Sequence, residues 1–437
     1  MERKKVEPQP RLKAEGSSIL EPQPRLKAEG SSVLDLFLFV TALVLVMLFI
    51  VFKLILPKAA EPPGITLVFD QQWENGPERE TLAVLIGEFE KRNPEIQVRL
   101  YGGDTKPESQ SSSGKKAVPL APPDIIAFDE GRFSSLLKDG ALASLNQYTG
   151  SETDQRAIPL VSFMDLLFYN IDILKTAGFD HPPKNRNEFL GFSKAVSNQK
   201  KYGAALALSP ADSLGIRRDV FSWIWASGAA LIRNGKPDFN RREIIGALDF
   251  FGQLNREGLL SPESFNKTGA QRLEEFANGQ IAMMTASVRD IPYLRERMGD
   301  GAFGITVIPG PAAYSGKPVT GPSRWYAGIS ADCQHPDEAW AFLAFLTKKI
   351  PVLASEVRAV PESTVPGNYA EEDILYSKAW DIYGAADIIQ EFSGILYGDD
   401  LEAAVRDELI LFFDEKQNAA ETAAAVQKRW DALYETR

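Results

Sequence analysis

Cysteine and histidine are almost missing from this chain, and each shortage closes off a class of chemistry. Cys333 is the only cysteine among 437 residues, so no internal disulfide can form. The two histidines, His181 and His335, are each followed by proline, and neither has a cysteine or second histidine at ligand spacing, which argues against a zinc site. A Ser-His-Asp mechanism is poorly served for the same reason, and no GxSxG occurs. GxxxxGK[ST] is absent too, so any ATP hydrolysis must come from another subunit. No cofactor, metal or catalytic residue is expected. Positive charge is also short: 48 basic against 59 acidic groups give −11, and because the first 58 residues hold nine basic and six acidic groups, the remainder stands at −14. Nucleic acid and anionic lipid are poor partners for such a surface.

Long apolar runs are lacking everywhere but once. Leu36 to Phe52, extended past Lys53 by Leu54, Ile55 and Leu56, spans about 31 Å as a helix, one hydrocarbon thickness, and Lys53 can snorkel. This places a transmembrane anchor at 35–56. Arg3, Lys4, Lys5, Arg11, Lys13, Arg25 and Lys27 precede the run, against Lys53 and Lys58 after it, so the N-terminus is expected in the cytoplasm and the body, from Ala59, in the periplasm or exterior. A cleavable signal peptide fits less well, because the apolar core is long and no small residue stands three back in Pro57-Lys58-Ala59-Ala60. A lipid anchor is disfavoured by the distance of Cys333.

Residues 1–34 contain a tandem 14-residue duplication, EPQPRLKAEGSSIL and EPQPRLKAEGSSVL, whose composition cannot build a core and reads as a disordered cytoplasmic leader. The low-complexity stretch Asp104–Pro123 reads as an exposed loop. The rest alternates: ITLVFD (65–70) is a strand, RETLAVLIGEFEKRNP (79–94) carries a helical stripe stopped by Pro94, and IQVRLYG is a second strand. PPDIIAFD (122–129) is a buried strand, RFSSLLKDGAL a short helix and LLFYNIDIL (166–174) another strand-to-helix unit. The chain turns strongly helical from Pro336. This order argues for an α/β class with mainly parallel strands, and the size of the body for two lobes.

The blocks TLAVLIGEFEKRNPEIQVRLYGGD, PPDIIAFDEGRFSSLLKDGALASL, LLFYNIDILKTAGFDHPPKNRNEFLGFSKAV, ALDFFGQLNREGLL, LEEFANGQIAMM, FGITVIPGP, YAGISADCQHPDEAWAFLAFL and AAAVQKRWDALY follow one another in the order found in extracellular solute-binding proteins of ABC importers. Over residues 65–437 the chain resembles the family-1, maltose-binding-like branch. The resemblance implies a type II periplasmic-binding-protein fold, two α/β lobes that close on a solute. Lobe one would be 65–157 plus 310–352 and lobe two 158–309 plus 353–437. Crossovers are expected near Ile158-Pro159, Ile308-Pro309-Gly310 and Ala359-Val360-Pro361, where proline and glycine suit a hinge.

Ligands of open α/β sheets bind beyond the carboxyl ends of strands. Trp73 stands at one such end and Phe128, Asp129 and Glu130 at another. A sugar needs flat aromatics flanked by polar groups. Trp73, Phe128 and Trp325 could stack; Asp129, Glu130, Arg218, Asp219 and Arg324 could hydrogen-bond. Trp340, Trp380 and Trp430 lie on helical patterns and read as packing, while Trp223 and Trp225 are open to either use. Against the maltose-binding stretch, DIIAFDEGRF (124–133) resembles an aromatic and Asp-Arg arrangement, with Phe128 and Arg132 matching but Gly131 standing where the aspartate is expected. In AMMTASVRD (282–290), Arg289 lies where a stacking tryptophan often follows. These departures argue against maltodextrin itself and leave the solute open, with carbohydrate the leading class.

Three functions compete. A monomeric, membrane-tethered import receptor would use permease and ATPase subunits in trans. A ligand sensor would signal through the anchor. A glycoside hydrolase would need two carboxylates about 5–9 Å apart, and no motif singles out a pair.

Overall fold

The computed structural model describes residues 40–41, 43–45, 47, 64–71, 77–102, 122–198, 200–359, 369, 372–389, 391 and 397–435. The leader, most of the apolar run, Trp73, the 104–121 part of the low-complexity stretch and the Val360-Pro361 crossover lie outside them. In the run, Val40, Thr41, Leu43, Val44, Leu45 and Met47 are helical and exposed. Among the described residues no helix is long and apolar enough to cross a membrane. Residues 1–63 and 64–437 form separate units, and the second holds every strand among the described residues.

In chain order the principal strands are β1 (Ile65–Asp70), β2 (Ile96–Tyr101), β3 (Ile125–Asp129), β4 (Ile158–Phe163), β5 (Asp165–Asn170), β6 (Tyr202–Ala204), β7 (Ile281–Ser287), β8 (Phe303–Thr306) and β9 (Ser323–Ile329). The principal helices are α1 (Pro77–Arg92), α2 (Glu130–Lys138), α3 (Arg186–Val196), α4 (Arg242–Arg256), α5 (Gly269–Ala277), α6 (Pro336–Glu356), α7 (Ile374–Ala385), α8 (Gly398–Phe413) and α9 (Ala419–Glu435).

Two main sheets result, ordered β2-β1-β3-β9-β4 and β8-β5-β7-β6, beside two short two-stranded ones among the described residues. In the first, Leu67 and Phe69 of β1 are fully buried beneath α1 and α6. The stripe Leu82, Leu85, Ile86 and Phe89 faces the same core, and Phe342 of α6 meets Phe69 and Phe89 edge-on at 5.6 and 5.1 Å. Each such ring contributes about 1.5–3 kcal/mol by leaving water. The second lobe's core joins Leu167 and Met283 of its sheet to Phe250, Leu401 and Trp430 on the covering helices.

The parallel expectation holds for β1 with β2 and β3, and for β6 with β7. β9 runs antiparallel to β3 and β4, and β5 antiparallel to β7 and β8. Strands native to a lobe run toward the junction, whereas β5 and β9 arrive from the opposite lobe, enter at the junction and run away from it. The chain passes from β4 in the first sheet to β5 in the second through Met164 alone, six residues beyond the Ile158-Pro159 crossover expected from sequence. It returns between β8 and β9, through 307–322.

Candidate functional site

The carboxyl ends of β3 and β7 and the entering ends of β5 and β9 meet at this junction: Trp325 pairs with Asp129 and Asp165 with Ser287. Asp129 caps α2, accepting the Arg132 N–H at 3.0 Å, and its second oxygen accepts from Ser213 Oγ at 2.8 Å. Glu130 follows, buried, with a carboxylate oxygen 3.7 Å from Arg217. It also accepts the Arg324 backbone N–H, yet burial pushes its carboxyl above the ordinary range. Arg132 brings its charge near Asp70 at the end of β1, and its Nη1 is buried with no hydrogen-bond partner among the described residues.

Opposite them Arg217–Phe221 forms a π-helix. The wider turn lets three consecutive charges find three different partners, a distortion common at functional sites. Arg217 Nε donates to Glu402 at 2.5 Å, Arg218 Nε to Asp165 at 3.0 Å, and Asp219 holds Arg272 and the Ala207 N–H. Burial pushes the Asp219 carboxyl up to about 6 against the pull of Arg272. Asp165 also accepts from Ser323 Oγ at 2.6 Å, so it ties together the two crossing segments and the π-helix.

The aromatic candidates are mostly covered. Phe128 is fully buried, packed on Phe133 at 5.2 Å and Tyr326 at 6.0 Å. Trp223 donates to Thr285 Oγ1 at 3.0 Å and stacks on Phe250 at 5.2 Å, inside the second core. Trp225 is 6 % exposed and donates to Glu391 at 2.7 Å. Trp325 is 8 % exposed, with the Arg289 guanidinium 5.5 Å over its ring. Arg324 is buried beside Glu130. Of the tryptophans read as packing, Trp430 is fully buried, Trp340 stacks on Tyr148 at 5.1 Å, and Trp380 donates to Tyr369.

The structure therefore brings Asp129, Glu130, Arg218, Arg289, Arg324 and Trp325 to one junction, and places Asp219 and Trp223 in the interior of the second lobe. Sequence reasoning missed Asp165, Ser213, Arg217 and Glu391. Asp165 and Arg217 had a signal, a charge opening an apolar strand and a charge beside Arg218; Ser213 and Glu391 had none. A cavity of about 20 Å³, room for one water, lies among Glu130, Asp165, Arg217, Trp225, Ser323 and Glu391. Chemically, the junction offers carboxylates and guanidiniums from both lobes, the groups that bind hydroxyls.

Residues 74–350 match the model of a family described as bacterial extracellular solute-binding protein. A probable ABC transporter-binding protein of Deinococcus radiodurans is 26 % identical over 243 residues, 52 % of this chain and 55 % of that protein. The chain thus spans about half the length of the curated relatives it matches. Among solved structures, maltose-bound MalE3 of T. maritima superposes with a TM-score of 0.66 at 16 % identity, covering 85 % of this chain and 100 % of that one. The cyclic alpha-maltosyl-1,6-maltose binding protein of Arthrobacter globiformis gives 0.66 at 17 %, covering 86 % and 100 %. At these identities the likeness is one of fold: two α/β lobes of the periplasmic-binding type.

Proposed function

This chain belongs to the bacterial extracellular solute-binding proteins, and from that premise we propose that it is the receptor subunit of an ABC importer, closing its lobes on a carbohydrate and presenting it to a permease. The observation that carries this reading is the family match, which runs from just before α1 into α6 and takes in the whole second sheet and every strand of the first but β1. Neighbours of the same fold that bind maltose and a maltosyl-maltose support carbohydrate as the solute class. The charged junction supports it too, since carboxylates and guanidiniums from two lobes can share a ring of hydroxyls. Its relatives are binding proteins, and the reading assigns no catalysis.

The apolar run at 35–56 holds the receptor in the cytoplasmic membrane, N-terminus inside and lobes outside, at high effective concentration beside its permease. The duplicated leader favours a second reading, a sensor that reports occupancy inward. Neighbouring permease genes support import, and a neighbouring kinase gene supports sensing.

A thermal-shift screen of the full-length protein in detergent, against mono- and oligosaccharides, polyols, amino acids and polyamines, tests the solute class, because a ligand of the folded state raises its melting temperature. A saturable rise with a saccharide is expected. A rise with amino acids or polyamines alone removes carbohydrate.

A further inference from the structure

The carboxylates at the junction are supplied with donors by the protein itself. Asp129 accepts the Arg132 N–H at 3.0 Å and Ser213 Oγ at 2.8 Å. Asp165 accepts from Arg218 at 3.0 Å and from Ser323 Oγ at 2.6 Å. Glu130 takes the Arg324 N–H and lies 3.7 Å from Arg217, and Glu391 accepts from Trp225 Nε1 at 2.7 Å.

Arg132 is the exception. It sits in the first turn of α2, just past the carboxyl end of β3, and its Nη1 is buried with no hydrogen-bond partner among the described residues. The carboxylate whose charge it reaches is Asp70, and burial holds that carboxyl above its ordinary range. No acid can be placed beside it on the helix, because a Cβ at Gly131 would stand 2.2 Å from the Ser213 carbonyl oxygen. On the neighbouring strand Trp325, which pairs with Asp129, carries the Arg289 guanidinium 5.5 Å over its ring. The aromatic face at the junction is therefore positively charged as well.

A buried guanidinium nitrogen without an acceptor is costly. A sugar hydroxyl supplies an acceptor and no charge, whereas a carboxylate matches the guanidinium fork with two parallel hydrogen bonds and balances it. We infer that the solute is an acidic saccharide, a uronic acid or its oligomer, whose carboxylate pairs with Arg132. The inference rests on the carbohydrate reading and narrows it. Arg132 selects by charge, and a sugar bearing an ammonium group meets two guanidiniums and is turned away.

Calorimetric titration of the full-length protein in detergent with glucuronate, digalacturonate and trigalacturonate, against glucose, galactobiose and galactotriose, reads the preference. An acidic sugar is expected to bind about tenfold more tightly than its neutral counterpart, or better, by a margin that narrows as sodium chloride is raised. Arg132→Gln, which keeps an amide donor and drops the charge, should abolish the margin, and Arg132→Lys should retain part of it. Since Nη1 has no partner to lose, Arg132→Gln should also keep the wild-type urea midpoint; a clear loss of stability would make Arg132 structural and overturn the inference. Equal or tighter binding of the neutral sugars, or a margin that survives Arg132→Gln, overturns it and leaves the carbohydrate reading standing. Binding of no saccharide, acidic or neutral, removes both.

Discussion

Arg289, in the short turn that follows β7, lays its guanidinium 5.5 Å over the ring of Trp325, which belongs to the other sheet. A charge from the second lobe thereby lies over one of the aromatic faces in the first that the sequence offers as a sugar platform. Trp325 is also part of a buried core cluster that draws on both sheets. Trp325→Ala should therefore cost about 3–5 kcal/mol of stability, as large-to-small core changes do, and Arg289→Ala about 0.5–2 kcal/mol as the cation–π contact is lost. Urea midpoints of the two variants check this; a Trp325→Ala protein as stable as the wild type would restore Trp325 to the role of a free platform.

Asp219 behaves as an interior anchor. It is fully buried, holds Arg272 and accepts the Ala207 N–H. Asp219→Ala strands the buried Arg272 guanidinium and should destabilise the second lobe by about 3–5 kcal/mol. The expected signature is a lowered urea midpoint. A variant of unchanged stability with weakened solute binding would instead mark Asp219 as a ligand contact.

Two buried carboxyls should make the fold more stable at mildly acid pH. Glu130 faces Arg217, Arg324 and Asp165; Glu402 faces Arg217, Asp399 and Arg406. Burial pushes both carboxyls above their ordinary value of 4.5 despite these guanidiniums. A folded-state value above the unfolded one means that folding takes up a proton, so the benefit is complete below pH 4.5 and fades as pH rises through the raised value. The contribution of these two groups to stability, read as the urea midpoint, should fall from pH 5 toward neutrality in the wild type. Glu130→Gln should flatten that profile; an equally steep profile in the variant would place the titrating group elsewhere.

Much of the architecture was legible because it is local. Leu82, Leu85, Ile86 and Phe89 repeat at helical spacing and do face the core, and Asp129 ends an apolar run where β3 gives way to α2. The reversed direction of β5 and β9 was not legible, since it follows from the path of the chain between lobes. Nor was the fate of Phe128: β3 is buried on both faces, so alternation cannot tell a cleft side from a packed one, and its partner Tyr326 lies on β9. Arg217 and Glu402 are 185 residues apart, and nothing near either announces the other. Gly131, which read as a departure from a sugar-binding pattern, has its physical reason in the closeness of Ser213.

Whether a saccharide occupies the space between the lobes is decided by calorimetric titration of the full-length protein with maltose, longer maltodextrins and other oligosaccharides. One-to-one, saturable binding of at least one saccharide is expected, with a negative heat-capacity change as the cleft closes. Absence of binding by every saccharide, with saturable binding of an amino acid or polyamine under the same conditions, would contradict the carbohydrate-receptor reading.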